Sequence, residues 1–215
     1  ESLNLVNAIS NCPLCTPYRA SLLTGQYPLT HGLFVNDVPL DPAAASLGKA
    51  FAASGYDTAY IGKWHVDGHG RDAPIPPERR QGFQFWKVLE CTHDYDHSAY
   101  YDGDSEQAQY WAGYDAIAQT RAAQRYIRER RRRNPFLLVL SWGPPHNPYR
   151  TAPEPYRSWY ARAPIRRRPN VPLNTWVIAY DALAGYYAHC SALDACVGDL
   201  LRTVEETGIA DDTIF

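Results

Sequence analysis

The chain has 215 residues, 45% hydrophobic and 20% charged, with a formal net charge of -2. That is enough chain to bury a core, and the bulk charge argues against a nucleic-acid partner. No apolar run is long enough to span a membrane, and none near Glu1 reads as a signal peptide.

The first informative stretch is Cys15-Thr16-Pro17-Tyr18-Arg19-Ala20-Ser21-Leu22-Leu23-Thr24-Gly25. Pro17 suits a first helical turn, Leu22 and Leu23 supply a buried side, and Gly25 is a natural terminator, so a helix is predicted over 17–24. Cys15 then sits at or just before a helix N-terminus, where free N–H groups stabilise an anion. Arg19 lies one turn on, on the same side. Cys12-Pro13-Leu14-Cys15 also reads C-x-x-C, which leaves a thioredoxin-like redox pair open beside a plain buried cysteine. A zinc site lacks its second C-x-x-C, and Cys190 and Cys196 have the wrong spacing.

Leu47, Ala50, Phe51 and Ser54 fit one face of a helix over 44–54, closed by Gly55. Thr58, Tyr60 and Ile61 predict a strand over 57–61. Gly62 is expected to turn the chain so that Lys63 and His65 project from the strand's end, where α/β sheets bind ligands. In His93-Asp94-Tyr95-Asp96-His97, two histidines four apart could ligate a transition metal on a helix face. The surrounding tyrosines and Gly103 favour a loop, in which His93 and His97 are expected to contact a sugar ring; an ordinary surface loop stays open.

A long helix is predicted over 105–133, ending in Arg128 and Arg130 to Arg133, which read as a solvated face at a helix C-terminus. Phe136 to Trp142 is a continuous apolar run, expected to be a strand covered on both faces. Gly143, Pro144 and Pro145 end it and present His146, a candidate general acid. Arg166 to Arg168 stand in a Pro-rich loop, either simply solvated or attracting an anionic polymer. A final helix over 176–207, capped by Gly208, carries Leu183, Tyr186, Cys190, Leu193, Val197, Leu200 and Val204 as its expected core face. Cys91, Cys190 and Cys196 read as buried thiols. The alternation predicts an α/β fold with a mainly parallel sheet between helices, in one domain over 1–215.

Three runs carry a family resemblance: C-x-P-x-R at Cys15 to Arg19, G-Y-x-T-x-x-x-G-K-W-H at Gly55 to His65, and H-x-P at His146 to Pro148. They resemble the signatures of the type I sulfatases of the alkaline-phosphatase-like superfamily. The resemblance implies the central part of a catalytic domain and a hydrolase of sulfate esters, with sulfated carbohydrate as the expected substrate. It implies that a formylglycine-generating enzyme oxidises Cys15 to formylglycine. One hydroxyl of its hydrate, activated by calcium, would attack sulfur; Cys15 is the sole metal ligand expected within this chain. By the same resemblance Arg19 holds the diol and Lys63 counters developing charge. His146 protonates the departing alcohol, and His65 takes the proton that expels sulfate. A periplasmic or secreted location follows. The chain has no methionine, and Asp211 to Phe215 read as a turn entering a strand, so a fragment cut at both ends is expected. A phosphomonoester or phosphonate hydrolase of the same superfamily, and a non-catalytic sulfated-glycan binder, are the alternatives.

Overall fold

The computed structural model describes residues 4–130 and 134–215. Its helices are α1 (Cys15–Thr24), α2 (Pro28–His31), α3 (Leu47–Ala53), α4 (Asp115–Glu129), α5 (Tyr156–Tyr160) and α6 (Trp176–Glu206). Its strands are β1 (Asp57–Lys63), β2 (Phe85–Leu89), β3 (Ala99–Asp102), β4 (Gln109–Tyr110) and β5 (Phe136–Ser141).

Alternation along the strands builds two cores. Tyr60 of β1 and Trp86 and Val88 of β2 pack with Ala20, Leu23, Trp64 and Phe83 on the face bearing α1. Ile61, the next residue of β1, joins Ala122, Ala123, Ile127, Leu200 and Val204 on the face bearing α4 and α6. Successive side chains of a strand point to opposite faces, so one apolar strand serves two helical layers.

The sheet runs β4-β3-β2-β1-β5. β1 pairs in parallel with β2 and with β5, while β3 and β4 are antiparallel additions. The α/β expectation therefore holds, with a parallel heart and an antiparallel margin. All six residues of β5 are half-buried, short of the coverage expected on both faces, because β5 is an edge strand of the described sheet.

Other expectations need correction. The chain over 105–114 is not helical; it holds β4 and turns, and α4 begins at Asp115. Arg131, Arg132 and Arg133 lie outside the described residues. Arg128 is exposed as expected while donating to Thr203 and Glu206, whereas Arg130 is half-buried and lies 4.3 Å over the Phe136 ring. Gly62 does not turn the chain but stays within β1. Its φ of +105° and a would-be Cβ only 2.2 Å from the Ser141 carbonyl show that it permits close approach of β5.

The buried stripe of α6 is rotated from the expected one, and runs through Ala188, His189, Ala192, Cys196, Leu200, Thr203 and Val204. Small residues let that face approach its neighbours: at Gly185 a Cβ would stand 2.5 Å from the Tyr149 carbonyl. The bulkier Leu193 and Val197 flank the stripe half-buried, Cys190 is also half-buried, and Tyr186 is exposed.

Candidate active site

The carboxyl ends of the parallel strands β1 and β5 and the N-terminus of α1 converge. Cys15 is the first residue of α1, partly exposed, after an extended Leu14 that lends no side-chain cap. The Thr16 N–H donates to Asn36 Oδ1 at 3.0 Å, and the Thr16 hydroxyl donates to the His65 carbonyl at 2.8 Å. These bonds seat the start of α1 against the end of β1. Lys63, last residue of β1 and only 8% exposed, brings Nζ to 3.9 Å from Cys15 Sγ.

Arg19 reaches past the cysteine. Its Nη1 donates to Ser141 Oγ and to the Lys63 carbonyl, both at 2.7 Å, and so ties α1 to the ends of β5 and β1. A charged donor satisfying two acceptors at strand ends is a strong orienting contact.

His65 is 2% exposed and has a left-handed backbone, φ 60°. Its Nε2 faces Asp37 Oδ1 at 3.0 Å, while Nδ1 has no partner among the described residues. Burial, aided by the charges of Lys63 and Arg19, pulls His65 down to about 4 against the upward pull of Asp37. The ring is therefore neutral near pH 7: Nε2–H donates to Asp37 and Nδ1 keeps a lone pair. Arg71 grips Asp37 through both oxygens, at 2.9 and 2.7 Å. That bidentate bond, with the one from His65, holds the Asp37 carboxyl well below the usual range.

His146 is exposed on the loop after β5, its Nδ1–H donating to the Asn147 carbonyl at 2.8 Å. His93 stacks on it with ring centroids 4.4 Å apart. His93 is lowered by burial first and then by the charges of Lys63, His146 and Arg71. His97 stands apart, stacked on Tyr110 at 4.3 Å. Residues 93–97 are irregular, with bends at 95–97 and no helix, so the two histidines do not share a helix face.

A buried network supports the His146 loop. Tyr95, fully buried, donates to the Asn147 carbonyl at 3.1 Å. His189 of α6 donates through Nε2 to the Pro148 carbonyl at 3.3 Å and accepts the Tyr114 hydroxyl at Nδ1, 2.6 Å away. Burial lowers His189, in keeping with this neutral form.

Sequence reasoning missed Asn36, Asp37, Arg71, Ser141 and His189. Asn36 and Asp37 follow a turn-rich stretch and carry no spacing signal of their own. Ser141 looked like the end of an apolar strand, although its place opposite Gly62, one residue before Lys63, follows once β1 and β5 are paired.

All five cysteines are free. Among the described residues no group of three His, Cys, Asp or Glu side chains gathers as a metal site. Lys63 faces Cys15, and the Asp37 carboxylate is already bound by Arg71 and His65. Calcium takes six to eight oxygen ligands, so the described residues do not by themselves fit that ion. No helix among them is long and apolar enough to cross a membrane.

The sulfatase family model matches residues 1–215. An ulvan-active sulfatase of Formosa agariphila is 44% identical over the whole of this chain, which covers 42% of that protein. An endo-4-O-sulfatase of Bacteroides thetaiotaomicron is 28% identical over all of this chain and 48% of its own length. A solved structure described under glycosaminoglycan metabolism by Bacteroides thetaiotaomicron superposes with a TM-score of 0.86 at 29% identity, covering 95% of this chain and 48% of that one. A phosphonate monoester hydrolase of Agrobacterium radiobacter, at 20% identity and a TM-score of 0.67, shares the fold. The chain thus spans less than half the length of the first two relatives. The family-model match that spans residues 1–215 makes the chain a member of the sulfatase family.

Proposed function

We propose that the protein of which this chain is part hydrolyses sulfate esters of carbohydrates, with Cys15 matured to formylglycine. The observation that carries the reading is Cys15 at the start of α1 with Lys63 Nζ 3.9 Å from its sulfur, at the ends of β1 and β5. A relative named as ulvan-active and a structural neighbour described under glycosaminoglycan metabolism support the carbohydrate class.

Formylglycine, once formed, supplies a hydrated aldehyde whose hydroxyl is a nucleophile. The other roles belong to residues of the chain. Lys63 and Arg71 set a positive potential that attracts the sulfate group and offsets charge as it develops. Arg19 holds the strand ends in register with α1. His65, neutral and oriented by Asp37, accepts a proton at Nδ1. His146, with Nδ1–H committed to a carbonyl, delivers a proton from Nε2 to the departing alcohol. His93 lies against His146 on the leaving-group side, and we assign His97 no catalytic part. Calcium is implied by the resemblance alone, and none of these roles is routed through it. A polymeric sulfated substrate fits the periplasmic or secreted location that the resemblance implies.

Coexpression of the full-length protein with a formylglycine-generating enzyme tests the reading. Peptide mass spectrometry should find the aldehyde at Cys15 and an unmodified thiol at Cys12, and Cys15→Ala should abolish turnover of 4-nitrophenyl sulfate. A Cys12–Cys15 disulfide that cycles with redox buffer, and no aldehyde, would overturn it. Faster turnover of 4-nitrophenyl phosphate than of the sulfate would favour the phosphate-ester alternative.

A further inference from the structure

The stretch from α5 into the start of α6 concentrates positive charge. Residues 155–180 contain Arg157, Arg162, Arg166, Arg167 and Arg168 and no Asp or Glu, in a chain whose net charge is -2. Arg157 lies 3.7 Å from Glu154, and Arg167 donates to the Val171 carbonyl, which pins the loop. Arg166 and Arg168 are exposed and have no carboxylate within 4.0 Å among the described residues. With Tyr160, Ile165 and Tyr187 they line an open groove of about 550 Å³.

A run of tyrosines links this groove to the candidate active site. Tyr149, in the loop that carries His146, meets Tyr186 at 6.1 Å between ring centroids. Tyr186 meets Tyr187 at 6.0 Å, and Tyr187 meets Tyr160 at 5.8 Å in the groove wall. Tyr186 and Tyr187 are 38% and 37% exposed, so the path presents aromatic surface to solvent.

We infer that the groove is a second anion subsite, which holds a neighbouring sulfated sugar of a polysaccharide whose reacting unit lies at Cys15. Guanidinium forks match sulfate oxygens in pairs, and aromatic faces suit the apolar faces of a sugar ring. The groove is large enough for a sugar unit and open enough for a chain to leave it. Single-stranded nucleic acid uses the same two kinds of group. The tyrosine path toward the leaving-group side of the site favours a glycan that occupies both places. For its substrate class the inference rests on the sulfatase reading.

The test compares wild-type full-length protein with the double variant Arg166→Gln/Arg168→Gln and with Tyr187→Leu; Arg167 is kept because it holds the loop. Binding of dextran sulfate, unsulfated dextran and oligothymidylate is measured by calorimetry, and turnover of 4-nitrophenyl sulfate is measured on matured protein. The double variant should bind dextran sulfate about tenfold more weakly, the scale of two solvent-exposed charge contacts. Tyr187→Leu should also weaken it, while turnover of the small ester stays unchanged. Unaltered dextran sulfate affinity in the double variant, or oligothymidylate bound as tightly as dextran sulfate at equal salt, would overturn the subsite. Wild-type protein that turns over no sulfate ester, yet still loses dextran sulfate affinity with the arginine pair, would sink the hydrolase reading and leave the subsite standing. Turnover with affinity indifferent to the pair would do the reverse.

Discussion

His93 and His146 lie face to face, their ring planes 3° from parallel and their centroids 4.4 Å apart. Two imidazoles so close do not both carry charge readily. Burial and then the charge of Lys63 disfavour a charge on His93, which packs against His146. His65 instead follows β1 and meets the start of α1, so the two candidate proton-transfer residues belong to different loops.

His146 and His65 should therefore fail differently. His146→Ala should slow hydrolysis of a sugar sulfate by about 10²–10⁴-fold, the range for loss of a general acid. The same change should do much less to 4-nitrophenyl sulfate, whose leaving group needs no proton. His65→Ala should impair both substrates and let sulfated protein accumulate after a first turnover. Equal losses on both esters for His146→Ala, without dependence on leaving-group pKa, would remove the general-acid role.

Acid should destabilise the fold partly through His65. Its folded pKa, about 4, lies below the ordinary 6.5, so below pH 6.5 the unfolded chain takes up the proton more readily. The stability from keeping His65 neutral is thus complete above pH 6.5 and is lost as pH falls toward 4. Asp37, also lowered, adds a loss of the same sign at still lower pH. His93 and His189 shift in the same direction, so the comparison must be differential. Urea melts of wild type and His65→Gln between pH 7 and 4 should converge as pH drops, and parallel curves would refute the assignment.

Tyr114→Phe removes the donor to His189 Nδ1 and leaves a buried acceptor unpaired. The expected cost is about 1–3 kcal/mol, read from the denaturation midpoint. Because His189 also holds the Pro148 carbonyl, hydrolysis of esters with poor leaving groups should fall more than that of nitrophenyl sulfate. A stability loss with equal effects on both esters would make the network structural only.

Gly62→Ala should be far more damaging than Gly25→Ala. At Gly62 a new Cβ meets the Ser141 backbone at 2.2 Å under a φ of +105°. Overpacking and backbone strain each cost about 1–3 kcal/mol. Gly25 shares a positive φ, +68°, but has open space around it. Thermal melts that rank the two variants equally would contradict the close packing of β1 on β5.

The parts legible in sequence rest on short-range physics. Cys15, Pro17 and Gly25 mark the two ends of α1, and Gly55 closes α3 before β1, because caps and turns depend on neighbouring residues. β2, β3 and β4 escaped notice because strands of two to five residues carry little periodicity and exist only through their partners. The rotation of α6 was equally hidden: its large apolar residues mark one face, but Ala188 and Ala192 allow the closer approach. The sequence by itself determined which groups stand at Cys15, Arg19, Lys63, His65 and His146. Only the tertiary structure decided that Arg19 serves the strand ends, that Asp37 orients His65 and that His93 lies on His146. Those relations join residues 28 to 122 positions apart, a separation at which register and packing, not local propensity, set the distance.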